Sequence, residues 1–111
     1  MSEKKTMKVI IKEPGFPPHL EEIENTLEEL QRIVDGYIET VTIIRNQIIV
    51  ICNEEGRLNG LEPNCAVCGM DFVGPVIICS ADGDEFTDLK TPHKVMPLIR
   101  NLGGALQSLL I

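Results

Sequence analysis

The sequence predicts an α+β fold, a mostly antiparallel sheet with one long amphipathic helix packed on one face and a second helix near the C-terminus. Three observations predict it. Short β-branched runs are bounded by glycine, proline and asparagine turns; apolar residues recur at steps of three and four between Leu20 and Val34; and 43% hydrophobic content in 111 residues supplies one core without disulfides. At roughly one domain per 100–200 residues, the chain reads as a flexible N-terminus over residues 1–6 and a single α+β domain over residues 7–111.

Met7-Lys8-Val9-Ile10-Ile11-Lys12 is short and β-branched and ends at Glu13-Pro14-Gly15, a buried strand followed by a turn. Pro17-Pro18 is then expected to open the helix, because proline in a first turn loses no hydrogen bond there. Leu20, Ile23, Leu27, Leu30 and Val34 make its apolar stripe, Glu21, Glu24, Glu28 and Glu29 its polar face, and Asp35-Gly36 its end, with Gly36 in the left-handed position. Residues 37–44 and 47–52 form a hairpin across Arg45-Asn46. Asn53-Glu54-Glu55-Gly56 is a turn with Gly56 at positive φ that returns the chain into Arg57 and Leu58, and Asn59-Gly60 marks another bend. From Glu62 to Gly74 proline, glycines and cysteines interrupt every period, which predicts a loop or a very short helix. Val76 to Ser80 is a buried strand before the Ala81-Asp82-Gly83-Asp84 turn. Pro92 to Leu102 reads as helix with a break at Pro97, and the apolar end Ala105 to Ile111 is expected to close the core or dock on a second subunit.

The net charge of −7 argues against direct nucleic-acid binding, since phosphate neutralisation needs a basic surface, and favours basic partners. No apolar run reaches the roughly 18 residues of a membrane span, and the N-terminus carries no secretory pattern, so a cytoplasmic protein with reduced thiols is expected.

Cys65-Ala66-Val67-Cys68 is a C-x-x-C, and with Cys52 and Cys79 it provides the four thiolates of a structural zinc site. One knuckle plus two isolated cysteines inside apolar runs is not the paired spacing of a zinc ribbon, and cysteine in such a run commonly serves as a small buried hydrophobe. A redox pair at the C-x-x-C is a third reading, with Asn64 as the cap that would lower the first thiol's pKa. His19 and His93 each adjoin a proline and belong to no nucleophile motif; the acidic run Asp82, Asp84, Glu85 and Asp88 lacks the EF-hand spacing; and no phosphate-loop, dinucleotide or hydrolase fingerprint occurs. No catalytic residue is nominated and a non-enzymatic protein is expected. The helix face Glu21, Glu24, Glu28 and Glu29 is the candidate protein-binding surface, set against the plain reading of a solvated helix face, and Tyr37, Arg45, Arg57 and Asn59 are the candidates for lining a small-molecule site.

Met7-Lys8-Val9-Ile10-Ile11, Glu13-Pro14-Gly15, Leu27-Glu28-Glu29-Leu30-Gln31, Gly36-Tyr37-Ile38-Glu39 and Ile51 to Leu61, with Asn53-Glu54-Glu55-Gly56 and Leu58-Asn59-Gly60-Leu61 as the most specific part, together resemble a family. It is a domain-of-unknown-function family of short proteins encoded by phages, plasmids and integrative elements of mainly Gram-positive bacteria, and the likeness runs from Met7 to about Leu89. The sequence departs from the family pattern after Asn64, where Cys65 stands in place of a basic residue and a longer insert. The resemblance brings no catalytic residues. It implies an accessory protein of a mobile element that binds and inhibits or modulates a host protein, such as a defence component. The alternatives are a small-molecule binder, a nucleotide signal among its candidates, and a zinc-stabilised interaction module.

Overall fold

The computed structural model describes residues 5–102. The apolar end 105–111 and residues 1–4 of the expected flexible N-terminus lie outside the described residues. In chain order the elements are β1 (Thr6–Lys12), β2 (His19–Glu24), α1 (Leu27–Val34), β3 (Ile38–Ile44), β4 (Ile48–Asn53), β5 (Pro63–Val67), β6 (Met70–Val73), β7 (Val76–Asp82), β8 (Glu85–Thr87), the single turn α2 (Pro92–Val95), a 3-10 turn (Met96–Leu98) and β9 (Ile99–Asn101).

The strands form two antiparallel sheets. The larger runs β2-β1-β7-β4-β3, with β8 paired to the far end of β7, and the smaller runs β6-β5-β9. Side chains alternate across the larger sheet: Met7, Val9, Ile11, Ile49, Ile51, Ile77 and Cys79 meet Leu30 and Val34 of α1, while Ile10, Ile48, Val50, Cys52, Val76 and Ile78 meet Cys65, Val67 and Phe72 of the smaller sheet. The central strands are therefore covered on both faces, which is why β1, β4 and β7 read as unbroken apolar runs.

The long amphipathic helix is not formed. Its first third is β2, which pairs with β1 from Thr6↔Glu24 to Ile11↔His19, and helix covers only the eight residues of α1. Pairing satisfies the backbone groups along one side of β1 that a helix on the sheet face would leave open. Of the stripe, Leu20 and Leu27 are more than half exposed, at 56% and 55%, whereas Ile23, Leu30 and Val34 are buried. The helix begins where Thr26 caps it, its Oγ1 accepting from the Glu29 N–H at 3.2 Å, in a T-x-x-E pattern hidden inside the stripe. Asp35, not Gly36, takes the left-handed position, with φ 64°. Gly36 is required for space, since a Cβ there would lie 2.6 Å from Asn53 Nδ2.

Two further expectations change. The segment from Glu62 to Gly74 is the β5–β6 hairpin, turned by Cys68 and Gly69 at φ 51° and 86°, the backbone of a type I′ turn. The C-terminal helix stops after one turn, and past Pro97 the chain becomes β9, which pairs with β5 from Cys65↔Asn101 to Val67↔Ile99. Thr6, assigned to the N-terminal lead-in, opens β1. The β3–β4 hairpin and the strand at Val76 form as the sequence predicts, whereas Arg57 and Leu58 lie in successive turns and Gly56 has no positive φ.

Candidate functional site: an acidic cleft between the sheets

The smaller sheet is hydrogen-bonded to the larger beside β1 and leaves a cleft on the β3–β4 side. Beside β1 Lys12 and Asn64 are fully buried and bind each other. Lys12 Nζ donates to Asn64 Oδ1 and to the Glu13 carbonyl, both at 2.8 Å, and Asn64 Nδ2 donates to the carbonyls of Lys12 and Gly74, both at 2.7 Å. Three of these hydrogen bonds tie β1, β5 and the entry to β7 together. Burial pulls the Lys12 ammonium pKa below its ordinary value, opposed by the Cys65 thiol and the Glu13 carboxylate.

On the other side of the sheet's width a cleft of about 380 Å³ lies between β3–β4, the 54–58 turn and β6. Val41, Cys52, Phe72 and Val73 form its apolar floor, and Glu39, Glu54, Glu55 and Asp71 stand exposed around it. Leu58, at 84% exposure, and Met70, at 47%, add exposed apolar surface at the mouth. Arg57 is the one cation of the lining, and its Nη2 already donates to the Asp71 carbonyl at 2.9 Å. Burial foremost, with Glu39 adding and Arg57 opposing, pushes the Cys52 thiol up to about 11, so it is a protonated, apolar part of the floor at neutral pH.

The Asn53 to Leu61 motif divides between scaffold and cleft. Asn53 Nδ2 donates to the carbonyls of Val34 and Asp35 at 3.1 and 2.9 Å, and its Oδ1 accepts from the Glu55 N–H at 2.8 Å, joining the C-terminus of α1 to the turn. Gly74 is favoured by its φ of 71° and by Leu61 Cδ1, 2.6 Å from where a Cβ would stand, and Gly56 is closely packed, with Val73 Cγ2 3.0 Å from where its own Cβ would stand. Glu54, Glu55, Arg57 and Leu58 are left to line the opening.

Of the four residues proposed for a small-molecule site, only Arg57 lines the cleft. Arg45 sits in the turn at the opposite end of β4, Tyr37 is 70% exposed ahead of β3, and Asn59 is exposed in the turn beyond the mouth, its N–H bound to the Glu55 carbonyl at 2.9 Å. The acidic helix face is not assembled either. Glu21 and Glu24 lie on β2 with opposite parity, Glu21 accepting from His19 Nε2 at 2.9 Å, while Glu28 and Glu29 lie on α1, with Glu29 held by Arg32 at 2.9 and 2.6 Å. That hydrogen bond, foremost, lowers the Glu29 pKa.

The four cysteines do not converge. Cys79 faces α1, Cys52 and Cys65 face the other side of the sheet, and Cys68 is exposed in a turn. Among the described residues no group of three or more His, Cys, Asp or Glu side chains could hold a metal ion. Burial drives the Cys65 and Cys79 thiols up to about 11 and about 12, and Cys65 lies within a strand, not at the helix N-terminus that an activated C-x-x-C requires. Sequence reasoning missed Glu39, Met70 and Asp71, because only the β5–β6 hairpin brings β6 opposite β3; the Asn53 to Leu61 motif was the signal available for the rest.

The fold and cleft define a small, mostly antiparallel β domain, with one short helix on one face and a second sheet on the other. Among its described residues no helix is long and apolar enough to cross a membrane. Residues 7–98, from β1 through the 3-10 turn, match the model of DUF3846, a domain of unknown function, and the chain belongs to that family. No curated protein and no solved structure matches the chain.

Proposed function

We propose that the protein is a non-enzymatic binding module whose cleft receives a basic, partly apolar segment of a partner protein. The observation that carries the reading is the cleft's composition: an apolar floor and mouth with four carboxylates around them and one guanidinium already engaged by a backbone carbonyl. Lysine and arginine side chains suit such a surface, since their stems cover apolar atoms while their heads reach the carboxylates. The net charge of −7 favours the encounter with a basic partner. The resemblance to proteins of phages, plasmids and integrative elements favours a host protein as that partner, met in the cytoplasm, with inhibition or modulation as the outcome. A site for a nucleotide or another anion is the weaker reading, because four carboxylates surround its one cation.

The test is a titration of the 15N-labelled full chain with two synthetic peptides, one alternating lysine and leucine and one alternating glutamate and leucine. The reading expects shifts of the Glu39, Glu55, Met70 and Asp71 amides with the basic peptide alone. Added salt should weaken them, and the double variant Glu55→Lys with Asp71→Lys should remove them. Equal shifts with the acidic peptide, or none with the basic one, overturn it.

A further inference from the structure

The larger sheet ends on two edge strands of opposite character. On β2 the Asn25 N–H donates to the Lys5 carbonyl, and the register with β1 then leaves the backbone groups of Leu20, Glu22 and Glu24 pointing outward. Three carboxylates within six residues protect this edge against further pairing. On β3 the Glu54 N–H donates to the Tyr37 carbonyl, so up to the irregularity after Thr42 the odd-numbered residues bond to β4 and Ile38, Thr40 and Thr42 point outward. Thr40 and Thr42 are exposed, and among the described residues β3 pairs with β4 alone. Its one charge is Glu39 near the start, and Arg45 follows its end.

We infer that β3 is a self-recognition edge, on which a second copy of this chain pairs antiparallel about a two-fold axis at Val41. Charge complementarity selects the second copy and the direction. Antiparallel pairing sets the Tyr37–Glu39 end of each strand beside the Arg45 end of the other, bringing carboxylate to guanidinium and an exposed aromatic ring to a cation. The axis at Val41 pairs Thr40 of one copy with Thr42 of the other through their outward backbone groups. An axis at Thr40 would place the two Glu39 side chains diagonally adjacent. An axis at Thr42 would draw the irregularity between Thr42 and Ile44 into the middle of the ladder. Glu39 and Val41 also line the cleft, so the axis sets two clefts side by side on one face of the continuous sheet.

Sedimentation equilibrium of the full chain tests this without any peptide, so its outcome is independent of the cleft reading. The expected mass is twice the 12.3 kDa of the chain. Thr42→Pro removes an outward N–H from each copy and should raise the dissociation constant by about tenfold or more, at about 1 kcal/mol per lost bond. Glu22→Pro, the same change on β2, should leave the dimer intact. The double variant Thr40→Lys with Thr42→Lys opposes like charges across the axis and should dissociate the dimer even where proline disturbs β3. In a Cys68→Ser background, Val41→Cys should form an intermolecular disulfide on mild oxidation, because a non-hydrogen-bonded antiparallel pair brings Cα atoms to about 4.5 Å. A monomer at millimolar concentration, or a dimer indifferent to the paired lysines, overturns the inference, and a cross-link through Thr40→Cys in place of Val41→Cys overturns the register.

Discussion

The two faces of the larger sheet are covered by different means, and the difference places the candidate site. Toward α1 the buried side chains are apolar, from Met7, Val9 and Ile11 through Ile49, Ile51, Ile77 and Cys79, with Leu30 and Val34 closing over them, and the one buried polar group is Asn53, at the C-terminal end of α1. Toward the smaller sheet the interior also holds Lys12, Asn64 and Ser80, and Ser80 Oγ both donates to the Gln47 carbonyl at 2.7 Å and accepts from the Lys90 N–H at 2.9 Å. A helix completes its own hydrogen bonds except at its ends, where Asn53 meets the carbonyls of Val34 and Asp35, and elsewhere it seals a face with side chains. A small sheet laid over strands brings backbone edges with it, so this face holds buried polar partners beside β1 and at Ser80 and opens into a cleft beside β3 and β4.

The comparison is broken most severely at the buried polar pair. Asn64→Ala removes an acceptor from Lys12 Nζ and the donor to the Lys12 and Gly74 carbonyls. We expect a loss of about 4 kcal/mol in urea unfolding, with weakened capture of the basic peptide because β5 loses its anchor. Leu30→Ala, on the sealed face, is next, at about 3 kcal/mol for a buried leucine whose site cannot collapse fully. Its peptide affinity should remain that of the parent chain, and an equal loss of affinity would show that the two faces are not separable.

Alkaline pH sharpens the comparison at an intermediate scale. Folding raises the Cys52, Cys65 and Cys79 thiols from 9.0 to about 11, 11 and 12, so above pH 9 the folded chain holds protons that the unfolded chain releases. Their contribution is complete below pH 9 and is lost as pH climbs through 11 to 12, at up to about 1.4 kcal/mol per pH unit for each thiol. Lys12 acts in the opposite sense, because its pKa is lowered and the unfolded chain holds the extra proton below 10.5. Three thiols outweigh one amine, so the urea midpoint should fall between pH 9 and pH 11. Cys79→Ala should make that fall shallower from the α1 side and Cys52→Ala from the cleft side; a flat profile in the parent chain would contradict the burial of the thiols.

The smallest effect is expected at Arg57. Arg57→Ala deletes the cation of the cleft lining and should strengthen capture of the lysine–leucine peptide by about two- to fivefold, with stability changed by no more than about 0.5 kcal/mol. Isothermal titration measures it, and weakened binding would favour an anionic ligand in place of a basic segment.

Legibility in the sequence follows the range of the interactions. The β1 strand, the β3–β4 hairpin and the strand at Val76 were readable, because β-branched runs and their turns are local signals. The stripe from Leu20 to Val34 misled, because a strand followed by a capped helix can carry apolar residues at the same steps, and the sign of the true start was Thr26 with Glu29 three residues on. The β5–β6 hairpin was hidden because Asn64, Cys65, Ala66 and Val67 are all buried, which removes alternation, and because Cys68-Gly69 is an unusual pair for a type I′ turn. Half of the cleft was legible through the Asn53 to Leu61 motif, and the half on β3 and β6 was not.

By itself the sequence determined the acidic charge, the strand-rich core, the hairpin that carries the motif and the family likeness, all of which reside in composition or in neighbours along the chain. Only the tertiary structure decided that residues 19–24 pair with β1, that the cysteines part to opposite faces, and that Asn64 meets Lys12 across 52 positions. Those outcomes depend on which distant backbone groups and side chains remain to be satisfied once the sheet has formed, and local periodicity carries no record of them.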